Sequence, residues 1–308
     1  MIFKESFHFI LKLMILTISV IFICHLPALI FKNKPLPEGQ PLMQVEKAFG
    51  FFPVDYIFEI KNTLFSLLNW NDISYVAQGT NVERKIFPYI LESYSYSLTL
   101  LFVSLLIALL FAVFLTTVTF YLPSKLQGAI RKLSHIAEAL PDVFVIFSLQ
   151  LGAVWVFKHT NLLVTEPYAL SGQKIYFLPI LTLSLIPMIY LYKNTLMMYE
   201  NELGKPYVEF GVSKGIGKLQ ILLRHVFPNV LLSFFYNLKY MYLLLISHMI
   251  ILEYMYNIYG LLQFMTNHPS YEIITVGVLL LTLPISLVFF FIKLLLPKGV
   301  TYYDQAAV

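Results

Sequence analysis

Several ionisable side chains lie in or beside long apolar runs: Glu138, Asp142, Lys193, Lys239, His248, Glu253 and Lys293. A charge at the centre of a bilayer costs at least about 2.5 kcal/mol on insertion scales, so such residues face a cavity or a partner. Asp142, His248 and Glu253 are therefore the candidates for a polar path or a gate. Lys193 and Lys293 stand near run ends, where a long basic side chain snorkels to the headgroups. No Ser/His/Asp set and no carboxylate pair stands out, so the chain is expected to be no enzyme. His225 and His248 lack a close His, Cys or Asp at ligand spacing, which argues against a permanent metal site. The run Gly215-Ile-Gly217-Lys218 suggests a phosphate cradle. That loop needs a glycine five residues before the Gly-Lys pair and a hydroxyl residue after the lysine. Val212 and Leu219 stand there instead. ATP binding by this chain is not expected.

The elements that must position these groups are apolar and long. Hydrophobic residues make up 58% of 308 and charged residues 12%. That is about half the charge of a water-soluble domain. The chain is expected to be an all-α polytopic membrane protein. A span needs about 20 apolar residues to cross roughly 30 Å of hydrocarbon. About six such runs are present, near Phe9–Phe31, Tyr96–Leu122, Ile136–Phe157, Tyr176–Met198, Val230–Leu252 and Ile273–Leu296. Asp142 and Pro187 interrupt the third and fourth. The first run exceeds a signal-peptide core and ends in Leu29-Ile30-Phe31, with no small-residue cleavage pattern, so it reads as a retained anchor. The lone Cys24 makes no intrachain disulfide. A net charge of +4 is too diffuse for nucleic acid and fits basic membrane loops.

Lys and Arg distribution sets the expected orientation. Lys125, Arg131 and Lys132 follow the second run, and Lys205, Lys214, Lys218 and Arg224 follow the fourth. The loop from Glu253 to Glu272 has none. Both termini are expected on the cytoplasmic side, with Lys32, Lys34, Arg84 and Lys85 running mildly against this. The organisation expected is an anchor over 1–32, an outer segment over 33–90, a core over 91–298 and a cytoplasmic tail over 299–308. The outer segment opens with Pro35 and Pro37. Ile57, Ile60, Leu64 and Leu67 then recur at helical spacing, which predicts a short amphipathic helix over about Val54–Leu68.

The most informative stretch runs from Tyr207 to Pro228. Pro206 suits a first helical turn. Glu209 in that turn favours the positive helix end. Gly215 and Gly217 stop the helix, so a short helix over about 206–217 is predicted. A second amphipathic stretch follows, with Leu219, Leu222, Leu223 and Val226 on one side and Lys218 and Arg224 on the other. Pro228 opens the next span. A short helix rigidly joined to two membrane helices can carry a push from a soluble partner into the bilayer.

The spacing Glu209, Gly215, Pro228 resembles the coupling-loop signature of ABC importer permeases, E-A-A-x3-G-x9-I-x-L-P. Phe210 and Gly211 replace the two alanines, and His225 and Phe227 replace the isoleucine and leucine. Tyr207-Val-Glu, Ser213-Lys-Gly-Ile and Leu223-Arg-His-Val-Phe-Pro-Asn229 are similar, more narrowly, to the dipeptide/oligopeptide/nickel permeases, with their Y-V-R-T-A-R-A-K-G-L and L-R-H-A-L-P-N. Leu140-Pro-Asp-Val-Phe144, Leu178-Pro-Ile-Leu-Thr-Leu183 and Glu253-Tyr-Met-Tyr-Asn-Ile-Tyr-Gly-Leu261 resemble three further motifs of that family in order. Tyr259 and Leu262 replace a proline and a glycine in the last. The closing D-P-R is missing, with Leu296-Pro-Lys298 in its place. The first span and long outer segment resemble the B-type subunit.

The resemblance implies an ABC type I importer permease in a bacterial plasma membrane. It would form half of a pore with a second, C-type permease, and an external binding protein would deliver substrate. Two cytoplasmic ATPases would hold the ATP and magnesium, leaving no cofactor on this chain. Tyr207, Glu209, Gly211, Gly215 and Pro228 would couple the pore to an ATPase. Peptides are the implied substrate and nickel or a nickel chelate the rival. An ion-driven secondary transporter would need carboxylates mid-span and two related halves, and only Asp142 fits. A non-transporting membrane receptor is the remaining alternative, suggested by the altered Phe210-Gly211 pair.

Overall fold

A computed structural model describes residues 2–33, 47–70, 73–76, 82–170 and 172–295. Readings that fall on 34–46, on the Lys293 side chain, or on the tail from 296 onward lie outside the described residues. Among the described residues the protein is all-α apart from two short ribbons, and six helices are long and apolar enough to cross a membrane. Two compact units divide the chain, one formed by 1–94 with 264–308 and the other by 95–263.

In the first unit, α1 (Ile2–Cys24) and α2 (Leu26–Ile30) form the first span. The ribbon β1 (Phe31–Asn33) and β2 (Lys47–Phe49) follows, antiparallel, with Phe31 opposite Phe49. Next come α3 (Pro53–Leu68) and the antiparallel ribbon β3 (Ser74–Val76) and β4 (Glu83–Lys85). The last span, α12 (Tyr271–Leu295), packs along α1, with the Phe9 and Phe290 rings stacked 4.0 Å apart.

The polar brace of this unit is His25, fully buried at the α1–α2 break. Its Nδ1 donates to the Ile21 carbonyl at 2.7 Å, its Nε2 meets Thr63 Oγ1 on α3 at 2.7 Å, and its ring stacks on Tyr271 of α12. This brace sets the rotation of α3. Ile60 and Thr63 turn inward, while Ile57 and Leu64 of the anticipated apolar face are exposed. A threonine displaces a leucine from the inner face because it answers a buried histidine. Glu59 is drawn in beside it, and burial holds its carboxyl above the usual range, with repulsion from Glu272 adding to this.

In the second unit, α4 (Tyr89–Tyr121) runs 33 residues and begins seven residues earlier than its apolar run. One face carries small residues at helical spacing: Ser97, Ser104, Ala108, Ala112 and Thr116, all fully buried. Small residues let helices approach closely where no water drives them together. Against that face lie Leu191, Tyr192 and Tyr199 of α7 (Phe177–Leu203). Thr119 and Tyr192 share a hydrogen bond at 3.1 Å, and the Phe120 and Tyr199 rings stack. Pro187 does not end α7. Its missing donor frees one carbonyl in the preceding turn, where Thr182 and Ser184 bond back to Leu178 and Leu181 carbonyls at 2.8 Å.

The anticipated third span divides. Its first residues belong to α5 (Ser124–Glu138), a separate helix, and Pro141 caps α6 (Asp142–Thr160). Asp142 therefore begins the span and does not interrupt it. Alongside α7, α5 forms two charged rungs: Arg131 with Glu200 at 2.6 Å, and Glu138 with Lys193. The snorkelling anticipated for Lys193 is thus replaced by an ion pair. The unit is completed by α8 (Pro206–Ser213), α9 (Lys218–Gln220), α10 (Phe227–Met255) and the start of α11 (Leu261–Asn267).

Replacing Thr63 with valine keeps its shape and leaves His25 Nε2 buried and unanswered. The expected cost is about 1–3 kcal/mol. Thermal unfolding of purified protein in detergent should show a lowered midpoint, with a smaller loss for Thr63→Ser.

Candidate functional site

The segment from Glu202 to Asn229 is built around one short helix. α7 ends at Leu203, and α8 begins with Pro206 in its first turn. Val208 and Gly211 form the inner face of α8, and a β-carbon on Gly211 would lie 3.7 Å from Ile221 Cδ1. Glu209 points away from this face, and Phe210 and Val212 are about 60% exposed. The Lys214 ammonium stands 4.2 Å from the Phe210 ring centroid.

The helix ends earlier than the 206–217 anticipated, and the reason is geometric. Gly215 adopts φ +75°, a left-handed conformation. Its N–H donates to the Val212 carbonyl at 2.9 Å, and the Ile216 N–H donates to the Gly211 carbonyl at 3.2 Å. These paired bonds form a Schellman motif, which closes a helix at the residue before the left-handed one. Gly217 does not stop α8. It caps the start of α9.

From α9 the chain passes without a break through a π-helical turn, Ile221–Val226, into α10. The Phe227 N–H reaches back five residues to the Leu222 carbonyl. A proline ring at 228 would strike the carbonyl four residues behind it in a regular helix, and a widened turn relieves that conflict. Pro228 therefore lies in a continuous helical path and does not open a fresh one. The wider turn also shifts the buried face. Ile221, Leu222 and Val226 are buried, whereas Leu219 and Leu223 of the anticipated apolar side are nearly half exposed.

A polar clasp fixes α8 to both neighbours. The Tyr207 hydroxyl donates to Glu202 Oε2 at 2.7 Å, and Asn229 Nδ2 donates to the Tyr207 hydroxyl at 3.2 Å. Lys205 pairs with the same Glu202 carboxylate. Burial, and then the neighbouring Glu202 carboxylate, push the Tyr207 hydroxyl above its ordinary pKa. Glu202 was not among the residues singled out from sequence. Its signal is a carboxylate in the last turn of a helix, an unfavourable place that asks for a compensating cation.

The three membrane-embedded candidates separate. Asp142, at the start of α6, accepts a hydrogen bond from His248 Nδ1 on α10. His248 Nε2 is buried with no hydrogen-bond partner among the described residues. Glu253 is elsewhere and fully buried. Its Oε1 accepts from Ser97 Oγ and its Oε2 from the Gln263 N–H, each at 2.7 Å. Ser97 Oγ in turn accepts from the Leu261 N–H at 2.8 Å. Gly260 leaves room for this knot, since a β-carbon there would lie 2.5 Å from Ser97 Oγ and overlap the carboxylate. Glu253 thus ties the turn after α10 to α4, and its oxygens do not face an open path.

The two α8 glycines should respond oppositely to alanine. Gly211→Ala meets ordinary contacts and gains helix propensity, so stability should rise by about 0.5–1 kcal/mol. Gly215→Ala forces a side chain into the left-handed region at a cost of about 1–2 kcal/mol. Paired thermal melts of the purified variants check both signs.

A family model described as "Binding-protein-dependent transport system inner membrane component" matches residues 104–302, more than half of the chain. No curated protein matches. The matched region contains α8, its Schellman turn, the π-helical turn and the Asp142–His248 pair. Six apolar helices and this match identify the chain as a multi-pass membrane protein of the ABC type I importer permease family, a non-catalytic transport subunit.

Proposed function

We propose that this chain is the B-type permease subunit of an ATP-driven importer of short peptides, and that α8 is its coupling helix. The observation that carries the reading is the construction of α8. A clasp holds one end, a Schellman turn closes the other, and an acid and two apolar side chains stand on its outer face. Phe210 and Val212 would fill an apolar groove of a cytoplasmic ATPase, and Glu209 would pair with a cation at its rim. Tyr207, Gly211, Gly215 and Pro228 act one step back. They fix the angle at which that face is presented.

Peptide specificity is supported by the run of motifs from Tyr207 to Asn229 and at Leu140, Leu178 and Glu253. The Asp142–His248 pair fits a polar point on the path, able to meet the charged terminus of a zwitterionic substrate. Glu253 acts on the gate only indirectly, by bracing the turn after α10. The remaining assembly would be a C-type permease, two ATPases carrying ATP and magnesium, and an external binding protein, with both termini of this chain in a bacterial cytoplasm.

Phe210→Ala should cost about 2 kcal/mol of docking, the scale of an interface hot spot. That is roughly 30-fold in ATPase affinity. Glu209→Ala should weaken docking less and slow association more, as rim charges do. Titration of the purified ATPases against nanodisc-held permease reads both, and unaltered affinity in the two variants would remove α8 from the coupling role. His248→Ala should abolish uptake of labelled peptide by cells while ATPase docking stays intact. Uptake of labelled nickel in place of peptide would move the substrate to the rival class.

A further inference from the structure

We propose that the groove between α4 and the α9–α10 segment is a binding site for one anionic phospholipid. Its acyl chain would lie in the groove, with its phosphate between Lys218 and Arg224.

The first observation is the groove. The face of α4 opposite its small-residue stripe is bulky, with Leu106, Leu110 and Phe114 each more than half exposed. Together with Leu219, Leu223 and Phe227 they line a cavity of about 650 Å³. The α4 wall runs from Leu106 to Val118. At 1.5 Å per residue this is about 18 Å. One leaflet of a hydrocarbon core roughly 30 Å thick is about 15 Å deep, so the groove matches a single acyl chain in length.

The second observation selects a lipid over a protein helix. Helices pack in membranes through small residues and interhelical hydrogen bonds. On α4 the small residues already face inward. Among the described lining side chains the one hydroxyl, Thr117, is spent on the Val113 carbonyl at 2.9 Å. What remains among the described lining residues is branched and aromatic, with no free polar handle.

The third observation is charge beside the α9–α10 wall. Lys218 precedes Leu219 and Arg224 follows Leu223, so a cation adjoins each groove leucine along the chain. Both are exposed, and neither has an ion-pair partner among the described residues. Basic pockets between membrane helices recruit anionic headgroups in this way. A lipid so held would bridge the bilayer and the segment that carries α8.

The test uses the full chain with whatever subunits co-purify, in nanodiscs of phosphatidylcholine with and without phosphatidylglycerol, released for native mass spectrometry. One phosphatidylglycerol retained per chain, in preference to phosphatidylcholine, is expected. Each cation near a membrane surface contributes about fivefold, so Lys218→Gln with Arg224→Gln should weaken retention by roughly 30-fold. Val113→Trp, which fills the groove, should remove the bound lipid altogether. Inorganic phosphate should not compete. Equal retention of both lipids, unchanged by the charge variant, would mean ordinary boundary lipid and overturn the proposal. Competition by phosphate would overturn it in favour of a free-anion site. A cross-link from Val113→Cys, in a Cys24→Ser background, to a second permease chain would overturn it in favour of a protein occupant. Should the tryptophan variant not fold, the charge variant decides alone, because its side chains are exposed.

Discussion

One carboxylate holds three helices in a fixed relation. Glu202 ends α7, receives the Tyr207 hydroxyl from α8, and is reached by Asn229 at the start of α10. Without this clasp α8 would be a two-turn helix on flexible joints, too short to be stable by itself. With it, the helix becomes part of the membrane framework. The Schellman turn supplies the same rigidity at the other end. Gly217 then caps α9, and the π-helical turn carries the path into α10 without interruption.

The bilayer imposes the second constraint, that polar groups be answered within the protein. α4 shows the local solution. Thr116, Thr117 and Thr119 each return a hydrogen bond to the carbonyl four residues earlier. The Ser97–Glu253–Gln263 knot shows the long-range solution. There a carboxylate finds enough donors to be fully buried. The Asp142–His248 pair differs, because one imidazole nitrogen is left over. An unanswered polar atom in such surroundings is costly, which fits the proposed role of this pair on the path.

Much of this was legible in the sequence, for identifiable reasons. Six spans follow from apolar length alone, and the α8 turn from a proline, an acid and a glycine at fixed distances. What escaped depended on partners far along the chain. Lys193 pairs with Glu138 because α5 lies against α7, and no local pattern announces that. Thr63 turned α3 by answering His25, so the apolar spacing of Ile57 and Leu64 misled. Leu219 and Leu223 were assigned to the wrong side because a 3.6-residue period was assumed where the turn is wider. Glu253 looked like an intramembrane charge in search of a substrate, when its donors sit on α4 and at the start of α11.

The two rungs between α5 and α7 have a mechanical consequence. They run with opposite polarity, Arg131 to Glu200 and Glu138 to Lys193. A slide of the helices by two turns, about 10 Å, would bring Arg131 to Lys193 in one direction and Glu138 to Glu200 in the other. Either displacement sets like charges face to face. The pair can tilt or roll as a single lever, but it resists telescoping. A displacement of α7 along its axis would therefore carry α5 with it, and α5 leads through Pro141 into α6.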